Sequence, residues 1–363
     1  MPLIWAAISA HGFGHAAQVV PVLNALKQLV PHLRVVLRTT VPEPFFRNRL
    51  TVPWVMNAVQ QDIGCLQNGP LTIDVDETWR AHHRFHLTWD DRVQAEVDAI
   101  QTARPDVILA DTPYLAVAAG KKSAVPTVAL VSFTWDLILS NYHPPLDIAA
   151  QPLIQSIRRA YAQADLALRI TPAPRMTVFD HQTDIGPICE PVSPARERLA
   201  TELRLASKER TVLIGFGGIP LTSLPFEALD PLPGYRFLFD GPTPPNDTRF
   251  VSTTSLPFSF RELLASVDIV MTKPGYGIVL EAVALRTPLV YVRRYHFADE
   301  QPLVEYLHRH GRGVELSQDD FIKGRWRDAL DTAAALPMPP GSPPKATGAT
   351  DAADLLAPLL QPA

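Results

Sequence analysis

The stretch Lys273-Pro274-Gly275-Tyr276-Gly277-Ile278-Val279-Leu280-Glu281 follows a strand-like run, 268–272, and opens a helix-like one, 279–285. Proline and two glycines let the backbone turn sharply and leave its N–H groups uncovered. A helix starting there directs its free amides and positive dipole end above the sheet, an arrangement suited to a phosphate. Lys273 adds a full positive charge at the same place, and Glu281, one turn into the helix, offers a carboxylate to the two hydroxyls of a ribose. Gly275, Tyr276 and Gly277 fall between them. Phosphate seat and ribose acceptor so close together read as a nucleotide site. It is not a P-loop, because no Gly-Lys-Ser/Thr closes the turn.

A second glycine turn lies near the start of the chain. An apolar run at 3–9 leads into Ala10-His11-Gly12-Phe13-Gly14-His15, then into 16–30 with helical spacing. Val19, Val22, Leu23, Leu26, Leu29 and Val30 make one apolar face. Gly12 and Gly14 form the turn of a second phosphate-type loop, and a histidine flanks it on each side. His15 is placed in the first helical turn, above the carboxyl ends of the strands, where α/β sheets bind ligands. The positive helix end is expected to keep its ring neutral and able to accept a proton. His11 is the rival base.

The chain has 363 residues, 47% of them hydrophobic and 19% charged, which suits a globular protein of two domains. A formal net charge of −4 argues against a nucleic-acid partner, which calls for a basic stripe. Two cysteines, Cys65 and Cys189, give neither a disulfide framework nor metal-ligand spacing, and point to a reducing cytoplasm. The first apolar run carries no basic flank and reads as a strand, not a signal peptide. No stretch reaches the length of a membrane span; peripheral membrane contact stays open, as does the choice between monomer and homodimer.

Strand-like runs at about 3–9, 34–39, 106–110, 126–131 and 166–170 alternate with helical patterns at about 15–30, 88–103, 113–123 and 150–164. After a proline-rich, charged stretch the alternation resumes. Strands fall near 211–215, 236–239, 268–272, 288–292 and 313–316, with helices near 259–266, 277–286, 298–310 and 319–335. This implies parallel sheets covered by helices on both faces. The expected division is a domain at 1–186, a linker at 187–206, a second domain at 207–340, and a proline-rich segment with a terminal helix at 341–363. A cleft between two such domains is a favoured ligand site. The 36 prolines fall mostly in the connections.

With this order of elements, the chain resembles the nucleotide-sugar glycosyltransferases of the GT-B fold, whose two Rossmann-like parallel-sheet domains face a central cleft. Lys273 to Glu281, then Pro288 and Glu300-Gln301, is similar to the donor signature of plant and bacterial UDP-glycosyltransferases. Lys273 stands where that signature has a phosphate-binding His, Gly277 replaces an Asn, and three extra residues precede Glu300-Gln301. Phe216-Gly217-Gly218 is similar to the Gly-Gly loop that approaches the donor phosphates in the lipid-linked N-acetylglucosaminyltransferase of cell-wall synthesis. Phe258, before a helix with Ser259 as its cap, falls where the family packs against the nucleotide base. His-Gly-Phe-Gly-His together with Lys-Pro-Gly-Tyr-Gly resembles the glycosyltransferase-like N-terminal half of plant L-arabinokinases.

The resemblance implies a metal-independent, inverting transferase that moves a sugar from a nucleotide-linked donor, UDP-linked for preference, to a hydroxyl acceptor. His15 is the implied base and Asp111, at a strand end, its partner. Gly217, Gly218, Phe258, Lys273, Gly275, Tyr276, Gly277, Glu281, Glu300 and Gln301 are the implied donor contacts. No resident cofactor is expected, since the sugar nucleotide is a co-substrate. Asp76, Trp79 and His83 fall where the family builds its acceptor pocket. Asp74-Val75-Asp76 has the form of a metal-binding pair but no nucleotide-binding strand around it, and no Glu or Cys completes a zinc set with His82, His83 and His86. Two other functions share the fold: a sugar-nucleotide 2-epimerase, and a sugar-nucleotide-binding regulator without turnover.

Overall fold

The structure, a computed structural model, describes residues 1–69, 71–216, 224–229, 231–244 and 247–360. Two all-parallel sheets organise it. The first holds β1 (Leu3–Ile8), β2 (Arg34–Arg38), β3 (Trp54–Asn57), β4 (Val107–Asp111), β5 (Thr127–Val131), β6 (Leu166–Ile170) and β7 (Gln182–Ile185). The second holds β8 (Arg210–Ile214), β9 (Tyr235–Phe239), β10 (Phe250–Ser252), β11 (Ile269–Thr272), β12 (Leu289–Tyr291) and β13 (Gly313–Glu315). Their orders are β3-β2-β1-β4-β5-β6-β7 and β10-β9-β8-β11-β12-β13. In both sheets the order reverses beside the first strand, between β1 and β4 and between β8 and β11. A crevice opens above the carboxyl ends at such a switch.

The sheets are covered on both faces, as continuous apolar strands require. Along β1, Ile4, Ala6 and Ile8 enter one core while Leu3, Trp5 and Ala7 enter another. The first of these cores runs on into the second domain, through the helices Phe13–Leu29 and Tyr276–Leu285. A third core, with Phe237, Trp326 and Leu330, fills the outer side of the second sheet.

Three strands escaped the sequence patterns: β3, β7 and β10. All are sheet edges, and two have polar or alternating burial, so no apolar run announces them. The helix expected over 319–335 is two, Gln318–Ile322 and Arg327–Ala335, separated at Gly324, which has φ +70°. A further helix, Val75–Leu87, starts at Asp74, whose side chain accepts the Glu77 N–H.

The last helix, Gly348–Leu356, returns to the first domain and packs on the helix Phe13–Leu29 and on β7. Gly348 makes this possible, because a Cβ there would collide with the Gly186 carbonyl oxygen. The Gly348 N–H donates to the Pro187 carbonyl and the Gly186 N–H to the Asp351 carboxylate, at 3.0 and 2.9 Å. The chain therefore crosses between the domains twice, at 186–209 and before Gly348.

Candidate active site

The first switch point brings His15 and Asp111 together. Ile8 pairs with Asp111 across β1 and β4, so the turn after β1 and the end of β4 are neighbours by register. Asp111 is wholly buried, and its Oδ1 lies 2.7 Å from His15 Nδ1. Thr112, in the left-handed region at φ +71°, is held there by the Tyr161 hydroxyl, which donates to its carbonyl at 2.6 Å. Its own hydroxyl lies 3.3 Å from both His15 Nδ1 and Asp111 Oδ1. A β-branched residue at positive φ is uncommon and costly, and such positions gather at sites where geometry matters. A Cβ added at Gly12 or Gly14 would meet nothing within 4 Å, so the space above this turn is open to a ligand.

The expectation of a neutral His15 needs correction. Burial works against charge on the ring, but the Asp111 carboxylate, by its charge and its hydrogen bond, carries the pKa above the ordinary histidine value. The helix dipole is weaker than a fully buried anion at 2.7 Å. Asp111 itself is pushed up by burial and pulled back by His15. The result is an imidazole of raised basicity with its Nδ1 engaged and Nε2 left for chemistry.

His11 is differently placed. Its Nδ1 accepts the Cys65 N–H at 3.2 Å, its ring stacks on Phe297, and Trp135 meets it edge-on. Gly64, at φ +77°, wraps so tightly that a Cβ would sit 2.7 Å from His11 Nδ1. Burial, then the positive charges of His15, Arg294 and Lys273, hold its pKa well below the ordinary value. Its ring is held by these contacts and its low pKa favours the neutral form.

From the second domain, Lys273 and the helix Tyr276–Leu285 face this turn. Lys273 is buried, and its Nζ lies 3.5 Å from Gln67 Oε1, while the Gln67 amide nitrogen lies 3.5 Å from His11 Nε2. The two domains thus meet over the site. Burial, with Arg294 adding to it, lowers the Lys273 pKa to about 7. Gly275 caps the helix without a side chain, and Gly277 has open space around it, so the first amides stay approachable. Glu281 is half-buried, with Arg261 Nε 3.3 Å from its Oε1; burial raises its pKa against the pull of Arg261.

Several expected donor contacts already have partners within the protein. The Tyr276 hydroxyl donates to the Thr171 carbonyl at 2.8 Å and accepts the Ile188 N–H at 3.2 Å, so it ties the helix to the end of β6 and to the inter-domain segment. Glu300 is fully buried and takes the Arg294 N–H, the Arg294 guanidinium and the Tyr295 N–H at 2.7–3.2 Å. It shapes the loop before it. Gln301 is exposed and bonded to Arg293 and Glu305. The residue of this segment that reaches the site is Asp299. It is buried, its Oδ1 has no partner among the described residues, and its charge acts on His15 and Lys273. Burial, against Arg294 and with Glu300, pushes its pKa to about 7. The extra residues before Glu300-Gln301 make this register ambiguous in sequence. Gly217 and Gly218 lie outside the described residues. Phe258 is half-buried with the Arg198 guanidinium 4.3 Å above its ring, and Ser259 and Glu262 cap each other reciprocally.

On the helix Val75–Leu87, Trp79 is wholly buried in the first-domain core, which removes it from any acceptor surface. Asp76 and His83 are exposed. His82 is buried too, with its Nε2 2.9 Å from the Gly64 carbonyl. No cluster able to hold a metal ion occurs among the described residues, and no helix among them is long and apolar enough to cross a membrane. Asp62 escaped the sequence reading altogether. Its carboxylate, raised in pKa by burial, accepts from the Ser9 hydroxyl at 3.1 Å and from Trp135 Nε1 at 2.8 Å, and its charge acts on His15. It lies in a loop after an edge strand, where no pattern marks it.

No protein-family model matches the chain. It is similar to L-arabinokinase of Arabidopsis thaliana, with 26% identity over 337 residues that cover 91% of this chain and 32% of that protein. The chain spans about a third of the length of that relative. Among solved structures it is similar to the glycotransferase of kitacinnamycin, at 16% identity, with a TM-score of 0.64 over 99% of each chain. It is also similar to a UDP-glucosyltransferase from Polygonum tinctorium capable of glucosylating indoxyl, at 14% identity, with a TM-score of 0.61 over 100% of this chain and 99% of that one. These likenesses and the two parallel sheets show the GT-B fold.

Proposed function

We propose that the protein is a glycosyltransferase that moves a sugar from a nucleotide donor, UDP-linked for preference, to a hydroxyl acceptor. The observation that carries this is the buried His15–Asp111 pair at 2.7 Å, faced across the domain junction by Lys273 and the uncapped start of the helix Tyr276–Leu285. A base and an anion seat opposed in this way suit displacement at a carbon that bears a phosphate leaving group.

In this reading His15 Nε2 takes the proton of the acceptor hydroxyl as its oxygen attacks the anomeric carbon. The bond from that carbon to the diphosphate oxygen breaks, and the nucleoside diphosphate leaves with the electron pair. Asp111 holds the tautomer and stabilises the imidazolium. Lys273, the first amides after Gly275 and the helix dipole meet the charge of the leaving group; Glu281 takes the ribose hydroxyls. Asp299, with a buried oxygen unpartnered among the described residues, takes a hydroxyl of the donor sugar in place of Glu300 and Gln301, whose side chains are engaged elsewhere. A single displacement inverts the anomeric centre. Positive charge comes from the protein, so activity is expected to persist in EDTA, without a resident cofactor.

The test is His15→Ala. UDP affinity by calorimetry should hold while turnover falls by about 10²-fold or more, as for a lost general base. His11→Ala is the control: should it abolish turnover while His15→Ala does not, the base is misassigned. Should UDP fail to bind the wild-type protein, the donor reading fails with it.

A further inference from the structure

The loop between β12 and the helix Glu300–His310 belongs to the second domain, yet its Phe297 packs in the core of the first. The ring is 3% exposed, and Ala298 packs against the same core. The loop is tied down on both sides. Tyr295 stands in the left-handed region at φ +62°, where a residue of its kind is uncommon. Its N–H and that of Arg294 donate to the buried Glu300 carboxylate at 3.2 and 3.0 Å. The Arg294 guanidinium donates to the same carboxylate and lies 4.1 Å from the centre of the Phe297 ring, within cation–π range. From the first domain, the Asn141 side-chain amide donates to the His296 carbonyl at 3.2 Å.

Phe297 reaches the reacting groups through other rings. His11 lies nearly parallel to it, with 6.0 Å between centroids and 9° between planes, and Phe133 meets it edge-on at 5.6 Å. Phe133 in turn meets His15 edge-on at 5.5 Å. These are separations and tilts at which aromatic rings attract. Within the first domain Trp135 supports His11 and Phe133, edge-on at 5.2 and 5.1 Å; Phe297 adds a second-domain contact to the same two rings. Contact therefore runs without a break from Arg294 through Phe297 and Phe133 to the base.

We propose that Phe297 is a positioning residue: supplied by the second domain, it completes the packing of His11 and Phe133 and so orders the turn that carries His15 only when the two domains are closed. The base is then set while the anion seat of the second domain stands opposite it, and is loose while the domains are apart. Placement of this kind matters, because a shift of about 1 Å in a reacting group can cost about 10²-fold in rate. The part in transfer rests on the transferase reading; the ordering of the turn can be tested without it.

The test compares amide hydrogen exchange of the full chain in the wild type and in Phe297→Ala, read by mass spectrometry in peptides spanning 9–15 and 62–68. Each peptide holds a reporter: the Ser9 N–H donates to the Asp111 carbonyl and the Cys65 N–H to His11 Nδ1, both at 3.2 Å. Exchange in both should quicken by about tenfold or more through local opening, while β2 and β8 keep their protection. In proton NMR the His15 Nδ1–H on Asp111 should broaden as it exchanges faster with water, a change that loss of a remote domain contact would not produce. Phe297→Leu keeps most of the apolar volume, should fall between the two, and is the arbiter should Phe297→Ala not fold. Unchanged exchange in the folded variants, or protection lost equally in β2 and β8, overturns the role. UDP affinity should hold, because Lys273 and Glu281 stand on the second domain; lost UDP affinity with both peptides unchanged would make Phe297 a donor contact and overturn it as well. Faster exchange at the turn in a protein that ignores UDP would keep the positioning role and remove the transferase reading.

Discussion

Replacing Asp111 by Asn removes one charge and almost no volume from the centre of the site. Asp111 is fully buried, with its Oδ1 2.7 Å from His15 Nδ1 and its Oδ2 without a partner among the described residues, and without its charge His15 keeps only the Thr112 hydroxyl at 3.3 Å and the weaker pull of Asp62 and Asp299. Two consequences follow for His15. Its Nδ1 loses an obligate acceptor, because an amide can present either NH₂ or oxygen and so admits the wrong tautomer. Its pKa loses the carboxylate that raises it, while burial, which lowers it, stays. General-base help is worth about 10²–10⁴-fold, so kcat/KM should fall by that factor, about 3–5 kcal/mol of transition-state stabilisation. The pH profile gives the sign. The base acts only when neutral, so kcat/KM rises with pH through the His15 pKa. In the wild type that rise should lie above the ordinary value of 6.5, and in Asp111→Asn below it. Initial rates of UDP release from about pH 5 to 9, the range in which histidine titrates, would show both effects, with UDP affinity as the check on folding. Turnover comparable to wild type, or a rise that does not move down, would refute the dyad.

Glu281→Ala should weaken UDP by about 1–3 kcal/mol, the cost of unmade hydrogen bonds to a charged group; unchanged affinity in calorimetry of the folded variant removes the ribose assignment. With its pKa near 7, Lys273 is mostly neutral at about pH 8 in the free protein, and a bound diphosphate favours its cation. UDP binding at that pH should therefore take up about one proton, measured by calorimetry in buffers of different ionisation enthalpy. Uptake that persists in Lys273→Met points to another group. Tyr276→Phe deletes the bonds to Thr171 and Ile188 and should lower unfolding free energy by about 1–3 kcal/mol in urea while sparing UDP affinity; loss of UDP affinity with unchanged stability would return this hydroxyl to the nucleotide.

The sequence by itself determined what depends on neighbours along the chain. Apolar runs of strand length, glycine turns at their carboxyl ends and helical spacing after them were enough for two parallel-sheet domains. They were enough, too, to place Lys273, Glu281 and His15 above those sheets. Only the tertiary structure decided which partner each polar group meets. Strand order set β4 beside β1, which brings Asp111 to His15 and raises the pKa of that ring where the helix end alone would lower it. The sequence offers Tyr276 as a nucleotide contact; in the structure Thr171, after β6, and Ile188, in the crossing segment, engage its hydroxyl. Glu300 is taken up by its bonds to Arg294 and Tyr295, while the neighbouring Asp299 is buried with an oxygen unpartnered among the described residues. Trp79 carries the residue type of a binding surface, yet packing from distant segments encloses it, and His11 is held between Phe297 and Trp135. Phe297 stands in a loop with no periodicity, so only the meeting of the two domains reveals the rings it packs on. Periodicity records which face of an element is buried; it does not record what that face is buried against, and charge, tautomer and ligand shape depend on the latter.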